Sequence, residues 1–345
     1  MRVLHAGNFG TRGKGAALNS IAPKLSRGLV RAGHAVVDFD DRDAVRAWGG
    51  RALGIVGANR ALARLAHAVQ PHLLLLGHAD TLRPDTLAAL RRSMPAMRVL
   101  QWNVDPLFEP GNLARLRAKL PHVDATLVST AGDALAPLRR DGMRLGFFPN
   151  PVDFSVETGA AHSDPAPPFD LFYACGHPAR PKRHLCGRDW DMDDFLQALR
   201  RAVPGLTTCL AGVGGAPHLA GAAYQATLGQ CAAGLNASRR NDFLLYSSDR
   251  LAQMVGSGQL ALVERGTGYP TLFSNAEMGF FSSFEELVAL LRRVRAEPAW
   301  RMAVAAAGRA RYHALFNETR VAGYVLDVAF DRHDPEKYEW PTLLA

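Results

Sequence analysis

Cys231-Ala-Ala-Gly-Leu-Asn236, Ser247-Ser-Asp-Arg-Leu-Ala-Gln-Met-Val-Gly-Ser-Gly258 and Gln259-Leu-Ala-Leu-Val263 are the runs whose reading decides the fold. Cys231 to Leu235 is short, apolar and bounded by polar residues, as a buried strand is. A polar loop follows, then a helix that opens at Ser247/Ser248/Asp249 and closes at Gly256-Ser257-Gly258. The run through Val263 is the next buried strand, and strand, helix, strand is the repeating unit of a parallel sheet. Hydroxyls and Arg250 at the start of a helix suit a diphosphate, because the helix N-terminus carries about half a positive charge and unpaired N–H groups. The same residues also serve as a plain N-cap.

The alternation extends in both directions. Upstream, the spacing predicts strands at 2–6, 35–39, 73–76, 99–102, 125–129 and 145–148, with helices near 15–32, 59–69, 84–93, 112–119 and 131–140. Residues 155–168, rich in small residues and proline, read as a linker or an exposed loop. The pattern restarts with a strand at 169–174, a helix at 191–202, a strand at 206–210 and a helix at 217–229. Helices near 283–296, 299–313 and 317–330 close the chain. The expectation is two doubly wound domains: 1–153, a linker at 154–168, and 169–315, with a helix and tail at 316–345 packing back toward the first. Such sheets bind ligands at the carboxyl ends of their strands.

Composition excludes several classes. At 345 residues the chain has room for two cores, and 48% hydrophobic and 21% charged residues are globular values. The four cysteines form no C-x-x-C pair, which argues against a zinc site or a secreted disulfide framework. No run approaches the roughly 18 apolar residues of a membrane span, and Met1-Arg-Val-Leu-His-Ala-Gly turns polar too soon for a signal peptide, so a cytoplasmic location is expected. The net charge of +8 favours an anionic partner. Its arginines are spread over amphipathic helices without interleaved aromatics, which speaks against nucleic acid.

Motifs in both halves carry a resemblance. Trp102-Asn-Val-Asp-Pro106, Pro149-Asn-Pro-Val-Asp153, Leu235-Asn236, Arg250-x-x-Gln253, Gly258, Phe284-Glu-Glu-Leu287, Gly308-Arg-Ala-Arg311 and His313-x-x-Phe-x-x-Thr-Arg320 stand in an order that resembles nucleotide-sugar glycosyltransferases of the GT-B class, most closely the CgeB-like (spore-maturation) branch. The resemblance implies two Rossmann-like domains facing each other across a cleft and a nucleotide-sugar donor of UDP or GDP type, with no further cofactor. It also implies a glycan or lipid-linked acceptor in bacterial envelope polysaccharide or lipopolysaccharide assembly, and an anionic membrane surface as a partner for peripheral attachment. Gln253 stands where the family's Glu would bind the donor's ribose, and no acid lies eight residues before it, so the paired acids of many retaining members are missing. Gln still accepts a hydroxyl hydrogen bond, or Asp249 takes over that contact.

Candidate chemistry follows from strand ends and loops. Cys175-Gly-His-Pro-Ala-Arg-Pro-Lys-Arg183 follows a strand, so Gly176, Arg180, Lys182 and Arg183, with Arg250, could neutralise a diphosphate in place of a metal; alternatively the loop is a solvated basic run. The donor set is completed by Asn236, Ser247, Ser248, Asp249 and Gln253. No metal site is expected, since Asp191-x-Asp193-Asp194 falls at a helix start, where acids belong for dipole reasons. Asp105, past a strand end, is the first choice of base, against a purely turn-forming role before Pro106; His78 is the second, against merely closing its strand. His5, inside a strand, reads as core. The loop Gly7-Asn-Phe-Gly-Thr-Arg-Gly-Lys-Gly15 fits neither a Walker A nor a dinucleotide fingerprint. Asn8, Phe9, Gly10 and Lys14, with Trp102, are assigned to the acceptor side, the glycines allowing close approach or a simple tight turn. A nucleotide-sugar epimerase or hydrolase, or a non-catalytic two-lobed module for an anionic ligand, remains as an alternative.

Overall fold

The computed structural model describes residues 1–10, 15–176 and 182–344. The chain divides into two compact units, Met1–Pro151 with Glu318–Ala345, and Val152–Asn317.

In the first unit, β1 (Arg2–Gly7), α1 (Ile21–Arg31), β2 (Ala35–Asp40), α2 (Asp41–Ala47), α3 (Arg51–Val69), β3 (Leu73–Gly77), α4 (Pro84–Ser93), β4 (Arg98–Asn103), α5 (Pro110–Lys119), β5 (Ala125–Val128) and β6 (Arg144–Phe147) form a six-stranded parallel sheet. The strand order β2-β1-β3-β4-β5-β6 reverses between β1 and β3. Leu73–Leu76 are fully buried, as strands covered on both faces must be. The helix expected at 131–140 is instead a 3₁₀ segment over Gly132–Leu138. Pro137, inside it, removes an amide donor and clashes with the preceding turn of an α-helix. The sequence reading did not foresee α2, which Asp40 caps by accepting from the Arg42 and Asp43 amides at 3.0 and 2.9 Å.

In the second unit, β7 (Phe169–Ala174) is followed by an antiparallel hairpin, β8 (Lys182–Leu185) and β9 (Arg188–Asp191). Cys186 and Gly187 turn it at φ of 52° and 74°, the signs a two-residue hairpin turn requires. Then come α6 (Met192–Ala202), β10 (Thr208–Ala211), α7 (Gly221–Leu228), β11 (Cys231–Asn236), α8 (Arg250–Gly256), β12 (Leu260–Glu264), β13 (Gly279–Phe281), α9 (Phe284–Ala296) and α10 (Pro298–Phe316). The parallel sheet runs β10-β7-β11-β12-β13 and reverses between β7 and β11.

Residues 154–168 do not hang free as a linker. Val156, Glu157 and Ala161 are buried within the second unit, Ala161 donates its amide to the Ser257 carbonyl at 3.1 Å, and Asp153 donates its amide to the Glu157 carboxylate at 2.8 Å. The last helix, α11 (Glu318–Ala329), packs on α1, where a Cβ on Gly28 would lie 2.1 Å from the Glu318 carbonyl oxygen, and Arg31 pairs with Glu318 at 2.6 Å. Beyond it, Thr342 and Leu344 bond along β6.

Candidate functional site

Each sheet places a cluster of polar side chains at its reversal point, where the strands on either side send their connections to opposite faces and leave a crevice.

In the second unit, that point lies between the ends of β7 and β11. Asn236, the last residue of β11, is fully buried, and neither its amide oxygen nor its amide nitrogen has a hydrogen-bond partner among the described residues. Leaving such a group unmet costs about 1–3 kcal/mol. Arg250, the first residue of α8, reaches over the same crevice: Nη1 donates to the Ala174 carbonyl, Nη2 donates to the Ala237 carbonyl at 2.9 Å, and Nε has no partner among the described residues. Its guanidinium lies 4.9 Å from the centre of the Tyr173 ring. No carboxylate pairs with Arg250 among the described residues, so a nearly buried charge is met only by neutral groups. Such a charge favours an incoming anion.

The remaining donor-side residues divide by what they touch. Arg183 is buried on β8, donating from Nε to the Tyr173 hydroxyl at 3.2 Å and from Nη2 to Cys175 Sγ at 3.1 Å, whereas Lys182 beside it is exposed. A Cβ on Gly176 would meet nothing within 4 Å among the described residues, and Arg180 lies outside them. Ser247 shares a 2.8 Å hydrogen bond with the buried Tyr269 hydroxyl, while Ser248 keeps a buried hydroxyl with no partner among the described residues. The helix start proposed from sequence is weaker than expected: α8 has only seven residues, and Asp249 at its N-cap has helical φ and ψ of −55° and −18° and makes no side-chain cap. Gln253 is held at both ends, Oε1 accepting from the Tyr224 hydroxyl at 2.8 Å and Nε2 donating to Asp249 Oδ2 at 3.1 Å. Its amide is thereby fixed beside the Asp249 carboxylate.

One feature had escaped the sequence reading. Gly212, Gly214 and Gly215, at φ of 67°, 63° and 74°, wrap a recess after β10, with Asp193 Oδ1 accepting from the Gly214 amide at 2.7 Å. The recess, about 230 Å³, also touches Cys175 at the end of β7. The signal was the Gly212-Val-Gly-Gly215 run directly after a strand.

In the first unit, the structure brings the two candidate bases together: His78 Nδ1 lies 3.4 Å from Asp105 Oδ2. Asn103, ending β4, decides the protonation of that ring. Its Oδ1 accepts from the Asp105 amide at 2.9 Å and from Asn112 Nδ2 at 3.1 Å, which turns its Nδ2 toward His78 Nδ1 at 3.2 Å. An amide nitrogen only donates, so His78 Nδ1 accepts and the neutral ring carries its proton on Nε2. Burial lowers the His78 pKa, opposed by Asp105 and Asp80. A neutral ring protonated at Nε2 is a donor there. The half-exposed Asp105 carboxylate lies beside that ring.

Trp102, assigned by sequence to the acceptor side, is core instead: it stacks on Phe148 at 5.3 Å and donates from Nε1 to His5 Nε2 at 3.1 Å. His5 donates from Nδ1 to Ser26 Oγ at 2.8 Å, and burial lowers its pKa to about 3. Phe9 is likewise buried, its ring 5.0 Å from His5 and its amide donating to Asp40. Asn8 Oδ1 accepts from the amide of Gly10, which turns at φ 67°; Lys14 lies outside the described residues. A Cβ on Gly7 would sit 2.4 Å from the Gly77 carbonyl oxygen, so glycine is required where β1 and β3 diverge.

No curated protein sequence matches this chain. Residues 183–327 match the model of a family described as glycosyl transferase-like. Among solved structures, sucrose-phosphate synthase from Thermosynechococcus elongatus superposes with a TM-score of 0.64 at 12% identity, covering 95% of this chain and 98% of that one. Anabaena HepE in complex with UDP and glucose gives 0.60 at 11% identity, with 95% and 98% covered. A UDP-forming α,α-trehalose-phosphate synthase from Burkholderia xenovorans gives 0.58 at 12%, again with 95% and 98% covered. Identities this low speak to architecture alone. Residues 183–327 are therefore similar to a glycosyl transferase-like family, within a chain that has the two-domain GT-B fold.

Proposed function

We propose that this protein is a metal-independent glycosyltransferase of the CgeB-like branch. In this reading the second unit holds a nucleoside-diphosphate sugar, of UDP or GDP type, and the first holds a glycan or lipid-linked acceptor, in bacterial envelope polysaccharide or lipopolysaccharide assembly. The observation that carries it is the pairing of a fully buried, unmet Asn236 amide with the acid-free Arg250 guanidinium at one reversal point. The UDP bound to HepE supports a UDP-type donor. In the proposed reaction the acceptor oxygen bonds to the anomeric carbon as the sugar–phosphate C–O bond breaks. The acceptor's proton passes to Asp105, and the leaving diphosphate takes the electron pair beside Arg250. Asp249, oriented by Gln253, accepts from the ribose hydroxyls.

Titration calorimetry with UDP, GDP and their sugars, with and without a chelator, tests the donor site. Arg250→Ala and Asn236→Ala should each weaken nucleotide binding by roughly 1.5–3 kcal/mol, and the chelator should leave binding unchanged. Asp105→Asn should lower turnover on the order of 100-fold or more with donor affinity intact. Unchanged affinity in both donor-site variants, or strict dependence on a divalent cation, would overturn the reading.

A further inference from the structure

The first unit carries an unusual helix face. α3 contains no acidic residue in its sequence and three arginines, and its inner side, Ala58, Leu62 and Ala66, is spent on the core. Positions 53, 57, 60, 64 and 67 follow helical spacing on the opposite side. Leu53 is 78% exposed there. At position 57 a glycine lets Trp48, from the α2–α3 turn, lie across the helix: a Cβ on Gly57 would sit 2.4 Å from the Trp48 ring. That ring is still 49% exposed, with the Arg64 guanidinium 5.9 Å from its centre. Arg60 and Arg64 are exposed and pair with no acid among the described residues.

Three other arginines of this unit are differently engaged. Arg91 pairs with Asp124 at 2.9 Å, Arg115 with Asp80 at 3.2 Å, and Arg117 donates to the Pro137 carbonyl at 3.0 Å.

We propose that the outer face of α3 docks on an anionic phospholipid bilayer, Leu53 entering the acyl boundary, the Trp48 ring resting among the headgroups, and Arg60 and Arg64 meeting lipid phosphates. The charge complementarity follows from α3 itself: a cationic stripe on a helix with no acid of its own, carrying an aliphatic and an aromatic tip, matches a surface that is anionic outside and apolar beneath, and the acid beside it, Asp85 near Arg60, pairs with Arg83 at 3.6 Å. Neither a donor nor an acceptor is needed for it, so it goes beyond the proposed reaction.

Co-sedimentation of the full chain with phosphatidylglycerol–phosphatidylcholine vesicles, and with phosphatidylcholine alone, tests it. Binding should require the anionic lipid and weaken with salt. Leu53→Ser should lower the partition coefficient on the order of ten-fold at any salt, and Arg60→Gln and Arg64→Gln about five-fold each at low salt. These side chains are exposed, so thermal melts should match the wild type. Failure of the wild type to bind anionic vesicles, equal binding to phosphatidylcholine, or wild-type binding by all three variants would overturn the proposal. So would a dimer that Leu53→Ser dissociates in size-exclusion chromatography, which would assign the face to a second copy. Donor affinity, measured without vesicles, reports separately on the transferase reading.

Discussion

His5 shows how burial fixes one residue's chemistry. Its two ring nitrogens are committed to Trp102 and Ser26, and desolvation holds the folded-state pKa near 3 against an ordinary 6.5. Between those values the unfolded chain binds a proton that the folded chain refuses, so stability rises with pH across the window and is complete above about 6.5. Acidification below that point should cost up to about 1.4 kcal/mol per pH unit from this side chain. Urea unfolding at a series of pH values should show the slope, and His5→Gln, though less stable at neutral pH, should flatten it. A slope unchanged in the variant would assign the acid sensitivity to other groups. At the same scale, Asp105 and His78 were legible as strand-end residues. Neither their proximity nor the ring's tautomer was legible: the first comes from the fold, and the second depends on Asn103 and on Asn112, nine residues further along. Nor could the sequence reveal that Gln253 is gripped by Tyr224, 29 residues before it.

Among elements, the apolar runs marked most parallel strands, since a strand buried on both faces leaves few positions for polar residues. What escaped were elements whose cause is local turn chemistry or length. The β8–β9 hairpin hides in a basic run, and β13, Gly279–Phe281, is too short for periodicity to register. α2 was hidden because Asp40 both ends β2 and caps the next helix. The α1–α11 contact gives a test at this scale. Gly28 meets the Glu318 backbone so closely that Gly28→Ala must push the helices apart, at a cost of about 1–3 kcal/mol. Denaturant unfolding should find the midpoint lowered, although alanine is the better helix former. A stabilised variant would mean that the helices part without cost.

For the whole molecule, the decisive feature is that the first unit is built from both ends of the chain, Met1–Pro151 and Glu318–Ala345, whereas the second is one continuous segment. Translation delivers these pieces in a fixed order. When the ribosome reaches Asn317, every residue of the second unit has been made, but the first still lacks the helix that covers α1 and the strand-like tail along β6. The first unit must therefore wait, α1 uncovered, until residues 318–345 have been made, which makes it the part exposed to chaperones and proteases on nascent chains. A stop codon after Asn317 isolates that state. Limited proteolysis of the product should digest residues 1–151 rapidly and leave a resistant fragment beginning near Val152. Equal resistance of both parts would mean that the last helix closes a unit already able to hold itself together.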